Sequence, residues 1–186
     1  VHSTTVVVPP RSSTPLVVSV HDLAFRRHPD RFPARARRLY ERSWRRVLER
    51  ADAVVCPSMA TSADLRAGGI DVDRLHLVPL GHDPLEVQSE DRSAVRERFG
   101  LGERFVLATG TLEPRKNLPA LVAAFGSIGH DRDVQLVLAG QVGWGEGPAQ
   151  LLAPLPASLR ERVVVTGSVS NADLAALYSE ASAFCY

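Results

Sequence analysis

Short apolar runs rich in β-branched residues alternate with helix-like stretches along nearly the whole chain, and that alternation restricts the fold to βα units on a parallel sheet. The runs fall at residues 16–20, 53–56, 75–78, 105–109, 134–139, 163–166 and 183–186. They are continuous rather than alternating, as strands covered by helices are.

The helices between the runs carry boundary signals. Pro33 suits a first turn, and Ala36, Leu39, Tyr40, Trp44, Val47, Leu48 and Ala51 share one face of the helix that follows. Ser58 is a candidate cap for the next helix and Gly68-Gly69 a stop. Asn117 is a candidate cap for a helix over 118–128, and Ser170 with Asp173 resembles a capping box for one over 172–181. Between residues 79 and 102 strands give way to Pro, Gly, Ser and charge, with one helix expected over 93–99. A domain boundary is expected near residue 88, dividing the chain into 1–88 and 89–186.

Charge excludes some functions and singles out one residue. A formal net charge of +1 is far from the basic excess of a general nucleic-acid binder. The first 60 residues hold 11 arginines against 5 acids, and the remainder holds 11 basic residues against 16 acids. Of the 22 basic residues only Lys116 is a lysine. In so arginine-rich a chain, a retained lysine points to a position that needs a compact ammonium. Cys56 and Cys185, without a CxxC pair or a Cys/His cluster, suggest neither a disulfide framework nor a zinc site, and reduced thiols in the cytoplasm are the simplest reading. No apolar run is long enough to span a bilayer, and no signal peptide opens the chain. Both ends read as those of a partial chain.

The residues best suited to chemistry lie after the run at 105–109, in Gly110-Thr111-Leu112-Glu113-Pro114-Arg115-Lys116-Asn117. A strand's carboxyl end, a glycine turn and a helix start are where α/β folds bind phosphates, because unpaired N–H groups and the helix dipole face the anion. Arg115 and Lys116 oppose that dipole unless an anion arrives. Gly140 opens a second glycine-rich loop, with Gly143-Trp144-Gly145, which reads as a wall of the same pocket or as a plain loop. The triplets Asp71-Val72-Asp73 and Asp131-Arg132-Asp133 read as turn-forming acids rather than metal ligands. Arg35, Arg38, Arg42, Arg45 and Arg46 lie away from the apolar face of their helix. They form a solvated stripe or a contact for anionic lipid or an acidic acceptor.

The run G-T-L-E-P-R-K-N-L, then an apolar helix and Leu136-Val137-Leu138-Ala139-Gly140, resembles family 4 glycosyltransferases of the GT-B fold. Val20-His21-Asp22-Leu23-Ala24-Phe25 is similar to the family's His-Asp loop, and Val78-Pro79-Leu80-Gly81-His82-Asp83 to its interdomain turn. Val165-Thr166-Gly167-Ser168-Val169 with the stretch 174–178 is similar to the segment that holds the nucleobase. The resemblance implies two Rossmann-like parallel-sheet domains facing a cleft, both incomplete in this chain: an acceptor-side domain over 1–88 and a donor domain over 89–186. It implies that Gly110, Lys116, Gly140 and Val169 bind the nucleotide sugar, with Arg115 or Thr111 in place of the family's arginine after the glycine. It gives His21 a catalytic role toward donor sugar or acceptor and Asp22 a structural one. It implies no metal and no other cofactor.

The function so implied is retaining transfer of a hexose from a nucleoside diphosphate sugar to a sugar or lipid-linked acceptor. GDP-mannose is the favoured donor, with UDP-sugars open, and the expected location is the cytoplasm or the inner face of the plasma membrane. A GT-B epimerase or phosphorylase, or a non-catalytic nucleotide-binding piece, is the alternative. Carboxylates are expected beyond Tyr186, so little activity is expected of these 186 residues alone.

Overall fold

The computed structural model describes residues 1–9, 13–84, 87–128, 133–145 and 147–186. Asp131 and Arg132 of the second acidic triplet, and residue 146 of the glycine-rich loop, lie outside them. The chain divides into two compact units, Val1–His82 and Asp83–Tyr186.

In the first unit β1 (His2–Ser3), β2 (Val17–Ser19), β3 (Ala53–Cys56) and β4 (Leu75–Leu77) lie side by side in that order, every neighbouring pair parallel. Helix α1 (Ala24–Arg27) and the long α2 (Ala34–Arg50) connect β2 to β3, and α3 (Met59–Ala67) connects β3 to β4. Val18, Val54 and Cys56 from the strands, Trp44 and Val47 from α2 and Leu65 from α3 share one buried cluster, so α2 and α3 cover the same face. Truncating a side chain as buried as Trp44 to alanine costs about 3–5 kcal/mol. Burial also pushes the Cys56 thiol up from its ordinary range, against hydrogen bonds from Ser62 and Ser58 that act the other way.

Pro33 stands at the N-cap of α2, one place before the first turn where it was expected. Leu39 does not join the buried face. It is 49% exposed, because helical spacing sets it among Arg35, Arg42 and Arg46. Ser43 turns inward instead, its Oγ accepting the Val8 N–H at 2.8 Å. Ser58 caps α3 as expected, accepting the Thr61 N–H. Asp71 opens a short 3-10 turn over Val72–Arg74, and Arg74 donates to its carboxylate.

The second unit contains β5 (Phe105–Thr109), β6 (Gln135–Ala139), β7 (Val163–Gly167) and β8 (Ala183–Phe184), in the spatial order β7-β6-β5-β8 and again all parallel. Helices cover both faces. Val106 and Ala108 point toward α5 (Leu118–Ile128), α6 (Pro148–Leu152) and α7 (Ala157–Arg160). Phe105 and Leu107 point to the other side, against Val95 of α4 (Ser89–Phe99) and Ala176 and Leu177 of α8 (Asn171–Glu180). Two-sided cover is why these runs are continuously apolar. Helix α4 begins four residues earlier than expected, where the Asp91 carboxylate accepts the Gln88 N–H at 3.1 Å. On α8 the Ser170 Oγ accepts the Asp173 N–H, while both Asp173 oxygens also take Arg98 at 2.6 Å, joining α8 to α4.

The strand order matters for function. The chain steps from β5 to β6 to β7 in one direction, then returns across the sheet to place β8 on the far side of β5. Connections therefore leave β5 and enter β8 on opposite faces, which makes the boundary between β5 and β8 the switch point of the sheet. Open α/β sheets bind ligands at such a switch point.

Candidate functional site

A groove of about 260 Å³ opens at that switch point, with Thr109, Lys116, Asn117, Leu118, Cys185 and Tyr186 in its lining. The glycine turn after β5 lies beside it, with Gly110 and Thr111 lining a small neighbouring cavity that shares Thr109 and Lys116 with the groove. Gly110 has φ 112°, in the region that side chains disfavour. Its N–H donates to the Ala139 carbonyl at 2.9 Å. Gly140 approaches from β6 so closely that a Cβ there would lie 2.0 Å from the Gly110 carbonyl oxygen. Beyond this crossing the two loops stay paired. Leu112 donates to the Gln141 carbonyl at 2.8 Å and Gly143 to the Leu112 carbonyl at 3.0 Å. The first half of the glycine-rich loop is therefore a hydrogen-bonded wall of the Gly110 turn.

Between Gly110 and α5 the chain does not run straight into a helix. Pro114–Lys116 form a 3-10 turn, in which the Lys116 N–H is already spent on the Glu113 carbonyl at 3.0 Å. Asn117, the candidate cap, follows with φ 51°, a left-handed residue that redirects the chain into α5. Asn tolerates this conformation better than most residues. The two cations accordingly sit on the turn before α5 rather than in its first turn.

The cations differ in their surroundings. Arg115 is held by Glu113, whose Oε1 accepts from Nε at 2.9 Å and lies 2.8 Å from the terminal nitrogen. Glu113 is itself buried, so its charge is spent on that guanidinium. Lys116 is half-buried, and among the described residues no carboxylate pairs with it. Its stem passes over Gly110, where a Cβ would lie 3.3 Å from the lysine Cε. Its ammonium lies 3.8 Å from the centroid of the Tyr186 ring. The turn thus holds one compensated cation and one whose charge remains available to an anion.

Val169 follows β7 at the same carboxyl edge, with its side chain packed against the cluster of Val95, Phe105 and Leu177. In the first unit, His21 is exposed in the loop after β2. Its Nε2 lies 3.2 Å from the Thr4 carbonyl, and its own carbonyl accepts the Thr61 hydroxyl at 3.0 Å. Asp22 accepts the Ala24 N–H at 2.9 Å and so starts α1. Glu113, Thr109 and Tyr178 lie within the runs that the sequence marks, yet neither they nor Tyr186 stand out there as individual site residues. An acidic residue two places before an arginine, and aromatics eight residues apart, form no periodic signal.

Two parallel α/β units, the second with a glycine-lined cationic turn at its switch point, are the architecture of GT-B proteins. Over 91% of this chain the fold matches Anabaena HepE, described in complex with UDP-glucose, with TM-score 0.71 at 23% identity and 46% of that chain covered. It matches sucrose-phosphate synthase of Thermosynechococcus elongatus with TM-score 0.67 at 24% identity, over 94% of this chain and 44% of that one. Residues 3–81 match the family described as Glycosyl transferase 4-like domain, and residues 103–186 the one described as Glycosyl transferases group 1. The chain belongs to these glycosyltransferases.

Among curated relatives, a D-inositol 3-phosphate glycosyltransferase of Xylanimonas cellulosilytica is 31% identical over 146 residues, 73% of this chain and 34% of that protein. An alpha-monoglucosyldiacylglycerol synthase of Streptococcus pneumoniae is 26% identical over 156 residues, 75% of this chain and 33% of that protein. A serotype-specific mannosyltransferase WbdA of Escherichia coli is 27% identical over 150 residues, 74% of this chain and 18% of that protein. The chain spans about a third of the first of these.

Proposed function

We propose that the protein transfers a hexose from a nucleoside diphosphate sugar to a sugar or lipid-linked acceptor with retention of configuration. The second unit holds the donor and the first serves the acceptor. The observation that carries this reading is the uncompensated ammonium of Lys116, set against the Gly110 turn at the switch point of the second sheet. As the bond between sugar and diphosphate breaks, negative charge collects on the leaving group, and a fixed cation placed there lowers the barrier. Lys116 supplies that charge without a metal. Arg115, already matched by Glu113, is the weaker of the two cations, and the Thr111 hydroxyl is the other candidate beside it. Gly110 and Gly140 let the diphosphate approach the backbone, and the Val169 segment serves the nucleobase.

His21 acts from the first unit. With Nε2 donating to the Thr4 carbonyl, the neutral ring keeps Nδ1 as an acceptor, suited to a hydroxyl of the sugar or the acceptor. GDP-mannose is the preferred donor of this reading. Mannosyltransferases stand among the relatives, and the HepE structure with UDP-glucose makes UDP-sugars the donors to compare with it. The exposed stripe of Arg35, Arg38, Arg42 and Arg45, with Leu39 beside it, suits a peripheral contact with anionic headgroups on the cytoplasmic side of a membrane. Among the described residues, no helix is long and apolar enough to cross one.

The test offers the full-length protein GDP-mannose and UDP-glucose in turn with lipid and saccharide acceptors, and reads the anomeric configuration of the product by NMR. Transfer with the donor's configuration kept is expected; inversion, or no turnover of either donor, refutes the reading.

A further inference from the structure

Lysine has a long flexible stem, and holding its ammonium at one point costs side-chain entropy. Proteins commonly fix such a group with a carboxylate, as Glu113 fixes Arg115 here. A carboxylate on Lys116 would cancel the charge that a diphosphate needs. The face of an aromatic ring attracts a cation without cancelling it.

That ring is part of a larger construction. Phe184 and Tyr186 are two residues apart and lie 6.4 Å from each other with planes 30° apart. Phe184 in turn meets Tyr178 of α8 edge-on at 5.1 Å. The Tyr178 hydroxyl is hydrogen-bonded at 2.8 Å to Thr109, the last residue of β5 before Gly110. The ladder Tyr178-Phe184-Tyr186 thus begins and ends at the phosphate turn: one end is tied to the strand that enters it, and the other lies under the ammonium that leaves it. The stem of Lys116 also rests on Gly110, where there is no side chain to push it away.

We infer that Tyr186 is a positioning residue for the donor diphosphate, its ring holding the Lys116 ammonium at the groove with its charge unspent. This rests on the donor assignment made above and adds to it the residue that aims the lysine. The ring occupies one side of the ammonium and leaves its other N–H donors for phosphate oxygens. The diphosphate meets a cation that is already ordered, so less entropy is lost on binding.

In the 13C-lysine-labelled full-length protein, the Lys116 Cε–Hε signal is the one that Lys116→Arg removes. A ring under the ammonium shifts it upfield from free lysine. The shift is expected in the wild type and in Tyr186→Phe, and not in Tyr186→Leu. Tyr186→Leu is also expected to weaken UDP and GDP binding about threefold to tenfold and to leave uridine and guanosine binding unchanged. Tyr186→Phe restores the diphosphate affinity. A wild-type signal without the shift, or one that Tyr186→Leu leaves in place, overturns the inference. So does an unchanged UDP and GDP affinity once the shift is lost. If the shift is present but the wild type binds neither UDP nor GDP, the donor assignment itself has failed and takes this inference with it.

Discussion

The loop after β2 in the first unit is closed by its own polar groups: Asp22 takes the Ala24 N–H, Thr61 donates to the His21 carbonyl, and the His21 ring reaches Thr4. At the carboxyl edge of the second sheet the backbone is equally well tied, through Gly110, Leu112 and Gly143, but among the described residues no carboxylate pairs with Lys116. Both loops follow parallel strands, yet only one keeps charge in reserve. A loop that satisfies its own groups can aim a side chain, as it does His21. A loop that leaves an ammonium against a ring and a glycine keeps a charge to which an anion is attracted.

The contrast breaks most easily at Gly140. Gly140→Ala sets a Cβ into the Gly110 carbonyl, so either backbone must move. A loss of about 3 kcal/mol in the stability of the second unit is expected, read from the denaturation midpoint, together with loss of nucleotide binding. A folded, nucleotide-binding Gly140→Ala protein would mean the crossing of the two loops is not needed.

Thr61→Val tests the first loop in a milder way. It removes a buried hydroxyl that supports the His21 carbonyl, and a loss of about 1 kcal/mol is expected. Nucleotide affinity should not change, because the groups assigned to the nucleotide all belong to the second unit.

A smaller effect comes from Cys56, buried in the core of the first unit. Burial favours its neutral thiol, so the folded chain holds that proton more tightly than the unfolded chain does. The associated stability is complete below the ordinary thiol range and is lost as pH climbs through the raised folded value. Denaturation midpoints at neutral and alkaline pH should show this decline for the wild type, and Cys56→Ala should lack that part of it.

Much of the fold could be read from the chain because its signals are local. The run at 105–109 is apolar, β-branched and ended by a glycine, and β5 has those bounds. β3 likewise has the bounds of the apolar run at 53–56, which a proline ends. β1 was missed since two residues, His2 and Ser3, carry no period of their own. The start of α4 was missed because its cap is Gln88 paired with Asp91 in a charged stretch without an apolar face. Leu39 misled because an apolar residue at the border of a helical face reads as part of it. In the candidate site, glycine and lysine stand out by chemistry. The neutralising of Arg115 and the ring under Lys116 depend on side-chain directions that spacing does not encode.

The proposed donor site depends above all on Lys116 holding a nucleoside diphosphate. Calorimetric titration of the full-length protein with GDP- and UDP-sugars, wild type beside Lys116→Ala, tests it directly. The variant should keep its stability to within about 1 kcal/mol, having lost one exposed ring contact. Its affinity for the donor should fall by at least about tenfold, the worth of a hydrogen bond to a charged group. Equal affinities in the two proteins would contradict the account.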